Sequence, residues 1–153
     1  MLTGLNDTFQ MDRQNNMYFT IWYGVFNKAA RKITFARGGH PPAILLTGDT
    51  AESAKPVELK APGMVIGSMP GINYKTATAD VGAFAKLFLF SDGVYEITRP
   101  DGTMWEFPDF VTKLVRPPAD GISEMDMALR EARAVQGFEA FDDDFSMVKF
   151  VFP

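Results

Sequence analysis

The sequence predicts an α+β fold built on antiparallel sheet. Strand-type patterns come first, mostly as neighbouring hairpins, and helical patterns cluster after residue 105. This order is typical of α+β domains and not of doubly wound parallel sheets. No repeat, low-complexity tract or linker divides the chain, so we predict one domain over residues 1–153.

The strands are predicted from dense aromatic and β-branched residues or from alternating apolar residues. The segment "NKAAR" fits a hairpin connection between the first two strands, and Gly-Gly and Pro-Pro precede the third. Residues 47–62 are polar and small apart from "PVEL", which predicts a loop with one short strand. In order, the predicted strands are "NMYFTIWYGVFN", "KITFARGG", residues 43–46, "PVEL", "NYKTATAD", "AKLFLF" and residues 145–152.

Three segments carry apolar residues at helical spacing. Residues 3–14 are predicted to be the end of a helix, and "EFPDFVTKLVR" and "SEMDMALREARAVQ" are predicted to be two later helices. Ser123 suits the N-cap of the last helix and Gly137 suits its C-terminal end. The segment "PGMVIGSMPG" is rich in Gly and Pro and predicts an ordered loop.

Composition excludes several classes of function. The net charge of -4 and the lack of a basic run argue against a nucleic-acid partner. The chain has no apolar stretch of about 18 residues and no signal-peptide pattern at its N-terminus, so we expect no membrane segment and a cytoplasmic protein. With no cysteine and one histidine, any metal site must rely on carboxylates, which favour hard ions such as Mg, Mn or Ca.

Acidic residues occur at two predicted strand ends. Asp92 follows the buried strand "LFLF", and the run Asp142, Asp143 and Asp144 precedes the last strand. One interpretation is structural: Asp92 forms a turn in which Gly93 adopts a positive φ, and the acidic run is a solvated cap. The other is that both strand ends lie at the same sheet edge around a divalent ion, which would relieve the repulsion between adjacent carboxylates.

The turn "ARGGHPPAILL" is also unusual. Gly38 and Gly39 predict special backbone angles or a close approach, and the two prolines stiffen the exit. His40 is either a hydrogen-bonded turn residue or a proton donor, because imidazole titrates near neutrality. Arg37 is either an exposed charge at a strand end or a residue that binds a phosphate through two parallel hydrogen bonds.

Taken together and in order, "MYFTIWYGVFN", "ITFARGGHPPAILL", "LFLFSDGVYEITRPDGTMW" and "FDDDFSMVKFVF" resemble the SpoIIE-like serine/threonine phosphatases, a bacterial branch of the protein phosphatase 2C superfamily. The resemblance covers about residues 17–152. It implies an αββα sandwich of antiparallel sheets with two Mn or Mg ions at one edge. In that family the ions acidify a water that attacks the phosphorus of phosphoserine or phosphothreonine in line.

The resemblance also implies roles for individual residues. Asp92 and Asp143 match metal ligands, Gly93 shapes the turn at Asp92, and Asp144 is a weaker ligand candidate. His40, Arg37 and Glu96 are candidates for contacts with the substrate or with the metal ligands.

The family's first motif, of the type Gly-Asp-x-x-Gly-His-Gly, has no counterpart before residue 17. We therefore expect an N-terminally incomplete domain, with a sensor or receiver domain upstream. By resemblance, the substrate is a phosphorylated STAS-type anti-sigma-factor antagonist, and the open edge of an incomplete sandwich favours a homodimer. Two alternatives stay open: a non-catalytic remnant that binds a partner or regulates, and a plain α+β binding domain with structural acidic turns.

Overall fold

The computed structural model describes residues 1–118, 121–138, 140–141 and 143–153. The chain divides into two compact units, residues 1–43 with 58–83 and residues 44–57 with 84–153. The helices are α1 Leu2–Thr8, α2 Phe107–Leu114 and α3 Glu124–Gln136, with short 3₁₀ helices at Met11–Arg13 and Asp92–Val94. The strands are β1 Ile21–Asn27, β2 Lys32–Gly38, β3 Ala43–Gly48, β4 Lys55–Leu59, β5 Ala77–Asp80, β6 Phe84–Phe90, β7 Ile97–Thr98, β8 Met104–Trp105 and β9 Met147–Val151.

The first unit contains an antiparallel sheet with the strand order β1-β2-β5. The hairpin predicted at "NKAAR" is confirmed, because Asn27 pairs with Lys32 and the Asn27 side chain accepts a hydrogen bond from the Ala30 N–H at 3.0 Å. Arg31 completes the turn with a φ of 47°. The strong alternation of β2 places Ile33 and Phe35 in the interior, each 3% exposed.

The predicted N-terminal helix is shorter than residues 3–14. Helix α1 ends at Thr8, and the chain then leaves the helix so that the Met11 N–H donates to the Gly67 carbonyl at 3.0 Å. Asn6 on α1 is fully buried. Its side chain donates to the Met69 carbonyl and accepts from the Gly67 N–H, both at 2.9 Å. These bonds hold the Gly- and Pro-rich loop in place, as predicted.

The second unit contains most of a four-stranded antiparallel sheet with the order β4-β3-β6-β9. Alternate residues of β6 face a core formed with the helices, and Phe88 at its centre is completely buried. Its aromatic neighbour Phe90 packs edge-on against Phe110 of α2 at a centroid distance of 4.8 Å. An apolar core of this kind is the main source of the unit's stability.

The caps of helix α3 lie where the sequence predicts them. The Ser123 side chain accepts a hydrogen bond from the Asp126 N–H at 3.1 Å, and Gly137 ends the helix with a φ of 79°. Glu124 in the first turn bridges two strands: its carboxylate binds Lys86 on β6 and Lys149 on β9. This contact ties α3 to the sheet.

The hairpin of β7 and β8 is not in the sequence prediction. Its strands have two residues each, too short to give a periodic pattern, and its turn is closed by the Asp101 side chain, which accepts from the Thr103 N–H at 2.9 Å. The α+β class with antiparallel sheets is confirmed. The single domain over residues 1–153 stays a prediction.

Within the described ranges, none of the helices has the length and the apolar character that crossing a bilayer requires.

Candidate metal centre at the end of strand β6

The loops that carry Asp92 and Asp143 are neighbours. Strands β6 and β9 pair with Phe90 opposite Met147, so β6 leads into Asp92 where β9 emerges from the acidic run. The expectation that both acidic features lie at the same edge of one sheet is therefore confirmed.

Ser91 fastens the two loops together. Its N–H donates to the Ser146 carbonyl at 2.9 Å, its hydroxyl donates to the Asp144 carbonyl at 2.6 Å, and the Ser146 N–H donates back to that hydroxyl at 3.0 Å. Ser91 was not among the functional candidates predicted from the sequence. The only signal was a small polar residue immediately after an apolar strand, which many turns share.

The positive φ predicted for Gly93 is wrong. Gly93 does not have a positive φ. It lies instead in the 3₁₀ turn in which the Tyr95 N–H donates to the Asp92 carbonyl at 2.9 Å. Its small size has another cause: a Cβ atom here would lie 2.7 Å from the Asp144 carbonyl oxygen and 3.2 Å from the Asp143 Cβ. Gly93 therefore permits the close approach of the two acidic loops.

The carboxylates of this region are exposed and accept only local hydrogen bonds. Asp92 accepts from the Gly93 N–H at 3.2 Å, and Asp143 accepts from the Asp144 N–H at 2.7 Å. No lysine or arginine of the described residues forms a salt bridge with Asp92, Asp143 or Asp144. Asp142, the first residue of the acidic run, lies outside the described residues.

The oxygen ligands present suit a hard divalent ion but do not complete a site by themselves. Across residues 1–118, 121–138, 140–141 and 143–153, no group of three or more His, Cys, Asp or Glu side chains is placed to hold a metal. Two carboxylates on adjoining loops give part of such a site, since Mn and Mg take six oxygen or nitrogen ligands. The metal role of Asp92, Asp143 and Asp144 stays a prediction.

Glu96 lies on the same small cavity as Asp143. The Glu96 N–H donates to the Asp92 carbonyl at 2.9 Å, which places Glu96 one turn beyond Asp92. Gln136, which was not predicted to lie at the site, is 5% exposed and donates to the Ala140 carbonyl of the following loop. The cavity measures about 90 Å³ and is lined by Gly93, Glu96, Ile97, Thr98, Gln136, Phe141 and Asp143.

His40 and Arg37 belong to the first unit. Arg37 donates to the Ala61 carbonyl at 2.8 Å and to the His40 carbonyl at 2.7 Å, while the His40 Nδ1 lies 3.0 Å from the Pro41 carbonyl oxygen. These bonds support the turn. Gly39 has the predicted special angle, a φ of 73°. Substrate contacts by His40 and Arg37 stay predictions.

The pKa of Glu124 is the clearest electrostatic perturbation in the second unit. Burial raises the pKa of this carboxyl group, but hydrogen bonds from Lys86 and Lys149 outweigh the effect of burial and lower the pKa to about 2. A carboxylate that is desolvated yet ionised in this way depends on its two cationic partners.

Comparison with known proteins supports one family. A family described as Stage II sporulation protein E (SpoIIE) matches residues 1–152. The chain is 25% identical over 149 residues to phosphoserine phosphatase RsbU of Bacillus subtilis (strain 168), and the match covers 97% of this chain and 43% of RsbU. The chain therefore spans less than half the length of this curated relative.

Solved structures agree in fold. The phosphatase domain of SpoIIE from Bacillus subtilis, presoaked with Mn, matches with a TM-score of 0.61 and 18% identity over 86% of this chain and 55% of that one. The RsbU and RsbW domains of Rv1364c from Mycobacterium tuberculosis match with a TM-score of 0.62 and 19% identity over 91% of this chain and 38% of that one. The predicted relation to the protein phosphatase 2C fold is confirmed.

Proposed function

The chain belongs to the SpoIIE family, and from this we propose that it is a divalent-metal-dependent phosphatase domain that hydrolyses phosphoserine or phosphothreonine on a protein. The observation that carries the proposal is the close approach of the Asp92 and Asp143 loops through Gly93 and Ser91. The similarity to a phosphoserine phosphatase supports the reaction class.

The metal ligands in this proposal are Asp92 and Asp143, with Asp144 as a weaker candidate. Their oxygen atoms match the preference of Mn²⁺ and Mg²⁺, and none of the salt bridges between described residues involves them. When bound, such ions supply an activated water and offset the negative charge of the phosphoryl group. The chain's own contribution is to hold the two loops together: Ser91 joins them by hydrogen bonds, and Gly93 leaves room for their close approach.

The proposed substrate is a phosphorylated regulatory protein, specifically a STAS-type anti-sigma-factor antagonist. Similarity to RsbU and to a protein that carries both RsbU and RsbW domains supports a place in partner switching with anti-sigma factors. Because the chain spans 43% of RsbU, the activity of the whole protein is part of this proposal. A sensor or receiver domain upstream would supply the regulation.

Metal binding and hydrolysis test the proposal separately. Isothermal titration with MnCl₂ alone should show binding to the folded chain. Replacing a residue that only supports a metal ligand typically weakens metal binding by about 10- to 100-fold. Asp92→Asn and Asp143→Asn each remove a proposed ligand, so each should weaken Mn binding by more than that. Asp49→Asn, an exposed aspartate in another turn, is the matched control and should bind as the wild type does.

Hydrolysis of p-nitrophenyl phosphate and of a phosphorylated STAS protein should require Mn and should be lost in both site variants. A folded wild-type chain that binds no Mn would contradict the proposal and favour the alternative, a non-catalytic remnant of the fold that binds a partner. Equal activity in Asp143→Asn and Asp49→Asn would contradict the assignment of the site.

A further inference from the structure

Gln136, the last residue of helix α3, is buried although its side chain is a polar amide. It is 5% exposed. Glutamine is mostly found at protein surfaces, because burying an amide costs free energy unless it forms hydrogen bonds. The burial of Gln136 therefore depends on the hydrogen bond that its amide makes.

The Gln136 amide ties the helix to the loop that follows it. Its Nε2 donates to the carbonyl of Ala140, four residues further along the chain. Helix α3 has ended by then, because the Gly137 N–H donates to the Arg133 carbonyl at 2.8 Å and Gly137 turns the chain with a φ of 79°. The side chain of Gln136 thus connects to the helix a residue that lies beyond its main-chain hydrogen bonds.

Helix α3 is a firm support for this bond. Ala132, one turn before Gln136, is completely buried in the core of the second unit, and Val135 packs against the same core. A Cβ atom on Gly137 would lie 3.1 Å from the Pro100 Cγ, so the end of the helix lies close against the turn between β7 and β8. These contacts hold the Gln136 amide in place from the core side.

The loop that Gln136 holds is the one that carries Asp143. Gln136 binds this loop at Ala140, before Asp143. Ser91 binds it after Asp143, where the Ser91 hydroxyl donates to the Asp144 carbonyl at 2.6 Å. The position of the Asp143 side chain therefore depends on two anchors, one on helix α3 and one at the end of strand β6. Loss of the Gln136 bond would release the first of them.

Gln136 acts on Asp143 through the loop. The two side chains line the same cavity of about 90 Å³, and in the described residues each of them bonds to a main-chain group of the loop. Phe141 and Phe145, on either side of Asp143, stack at a centroid distance of 4.8 Å. This stack makes the loop compact, so a displacement at its first anchor reaches Asp143.

We propose that Gln136 is a positioning residue of the metal centre, which sets the place of the Asp143 carboxylate by holding the loop at Ala140. This inference rests on the proposed function, in which Asp143 is a metal ligand. A ligand that is already in place binds more tightly, because less freedom of movement is lost on binding. Residues that orient metal ligands without touching the metal commonly change its affinity in this way.

Gln136→Met tests the proposal, because methionine is unbranched and of similar length but has no N–H to donate. Isothermal titration with MnCl₂ should show that this variant binds Mn about 10- to 100-fold more weakly than the wild type does. The loss should be smaller than that of Asp143→Asn, which removes the proposed ligand itself.

Gln10→Met is the matched control. Gln10 is 8% exposed, and its Nε2 donates to the Asn6 carbonyl, which is also four residues away along the chain. The substitution removes the same kind of buried bond, but in the first unit. Gln10→Met should therefore lower the stability of the chain as Gln136→Met does, and it should bind Mn as the wild type does.

Amide hydrogen exchange tests the loop without added metal. The Asp144 N–H donates to the Asp143 carboxylate at 2.7 Å, and the Ser146 N–H donates to the Ser91 hydroxyl at 3.0 Å. Both amides should exchange about three- to tenfold faster in Gln136→Met, a factor that corresponds to the loss of one hydrogen bond. Amides in the buried middle of α3 report global unfolding and should change less.

The two measurements separate this inference from the proposed function. If the wild type binds Mn and Gln136→Met binds it equally well, the positioning role is wrong and the metal site stands. If the wild type binds no Mn, the proposed function is overturned and the metal role of Gln136 with it. Unchanged exchange at Asp144 and Ser146 overturns the inference whether or not Mn binds. If Gln136→Met does not fold, Gln136→Asn takes its place with the same expected results, since its amide is one methylene too short to reach Ala140.

Discussion

Replacing Glu124 with glutamine should destabilise the second unit because it removes the negative charge between two lysines. The Glu124 side chain is 11% exposed, and its carboxylate binds Lys86 as well as Lys149. Glutamine has nearly the same shape but no charge. The variant would leave two ammonium groups, 23% and 26% exposed, against a neutral amide.

The pKa of Glu124 sets the size of the expected loss in the free energy of unfolding. Burial alone would raise this pKa, but the hydrogen bonds from Lys86 and Lys149 lower it from 4.5 to about 2. At about 1.4 kcal/mol for each tenfold change in acidity, the lowering corresponds to about 3 kcal/mol. Water around the partly exposed lysines screens the interaction, so we expect a loss of about 2 kcal/mol at pH 7.

The pH dependence separates the charge from the packing. Because folding lowers the pKa of Glu124, the ionised carboxylate stabilises the fold above about pH 4.5, and this stabilisation is lost as the pH falls toward 2. The stability difference between wild type and Glu124→Gln should therefore be greatest near pH 7 and should shrink at pH 3.

Urea unfolding at both pH values, with linear extrapolation to water, measures this difference. Glu131→Gln is the matched control on the same helix, because Glu131 binds Lys113 at 2.8 Å with both side chains about a third exposed. That pair should contribute less than about 1 kcal/mol. The reasoning would be refuted if Glu124→Gln lost as much free energy of unfolding at pH 3 as at pH 7, or if it lost no more than Glu131→Gln does.

Two further substitutions test close contacts of the fold. Gly93→Ala should lower the free energy of unfolding by about 1–3 kcal/mol and weaken Mn binding, because the new Cβ would lie 2.7 Å from the Asp144 carbonyl oxygen. Gly4→Ala, on an open helix surface, is the control and should not destabilise the fold. Asn6→Ala should cost about 2–3 kcal/mol in thermal unfolding, since it leaves the Gly67 N–H and the Met69 carbonyl without their buried partner. The exposed Asn73→Ala is its control, and equal losses in the two asparagine variants would show that the Asn6 bonds contribute little.

Features with a local cause could be predicted from the sequence. Ser123 and Gly137 bound α3 because a cap depends on the few residues around it. Strand and hairpin positions follow likewise from alternation and turn residues, as at Asn27 and Lys32. The proximity of Asp92 to Asp143 was one of two interpretations that the sequence left open, and the pairing of the strands that flank them supports it.

Features with a distant cause could not be predicted. Gly93 was expected to need a positive φ, yet its reason is the backbone of Asp144, about 50 residues away in sequence. The first helix is shorter than its apolar spacing indicates because Met11 bonds to Gly67. Glu124 looks like an ordinary exposed residue of a first helical turn, and only the strands beneath it show that it is buried.

The carboxylates of the second unit serve two different purposes. Glu124 is buried and neutralised by two lysines, so its charge is already balanced in the folded chain. The loops that carry Asp92, Asp143 and Asp144 are brought together by Ser91 and Gly93, and none of the salt bridges between described residues involves these three carboxylates. Gathering like charges opposes folding, and the opposition is removed when a cation binds. If these carboxylates hold a metal ion as proposed, added Mn²⁺ should raise the unfolding temperature of the chain, and it should do so only while Asp92 and Asp143 are intact.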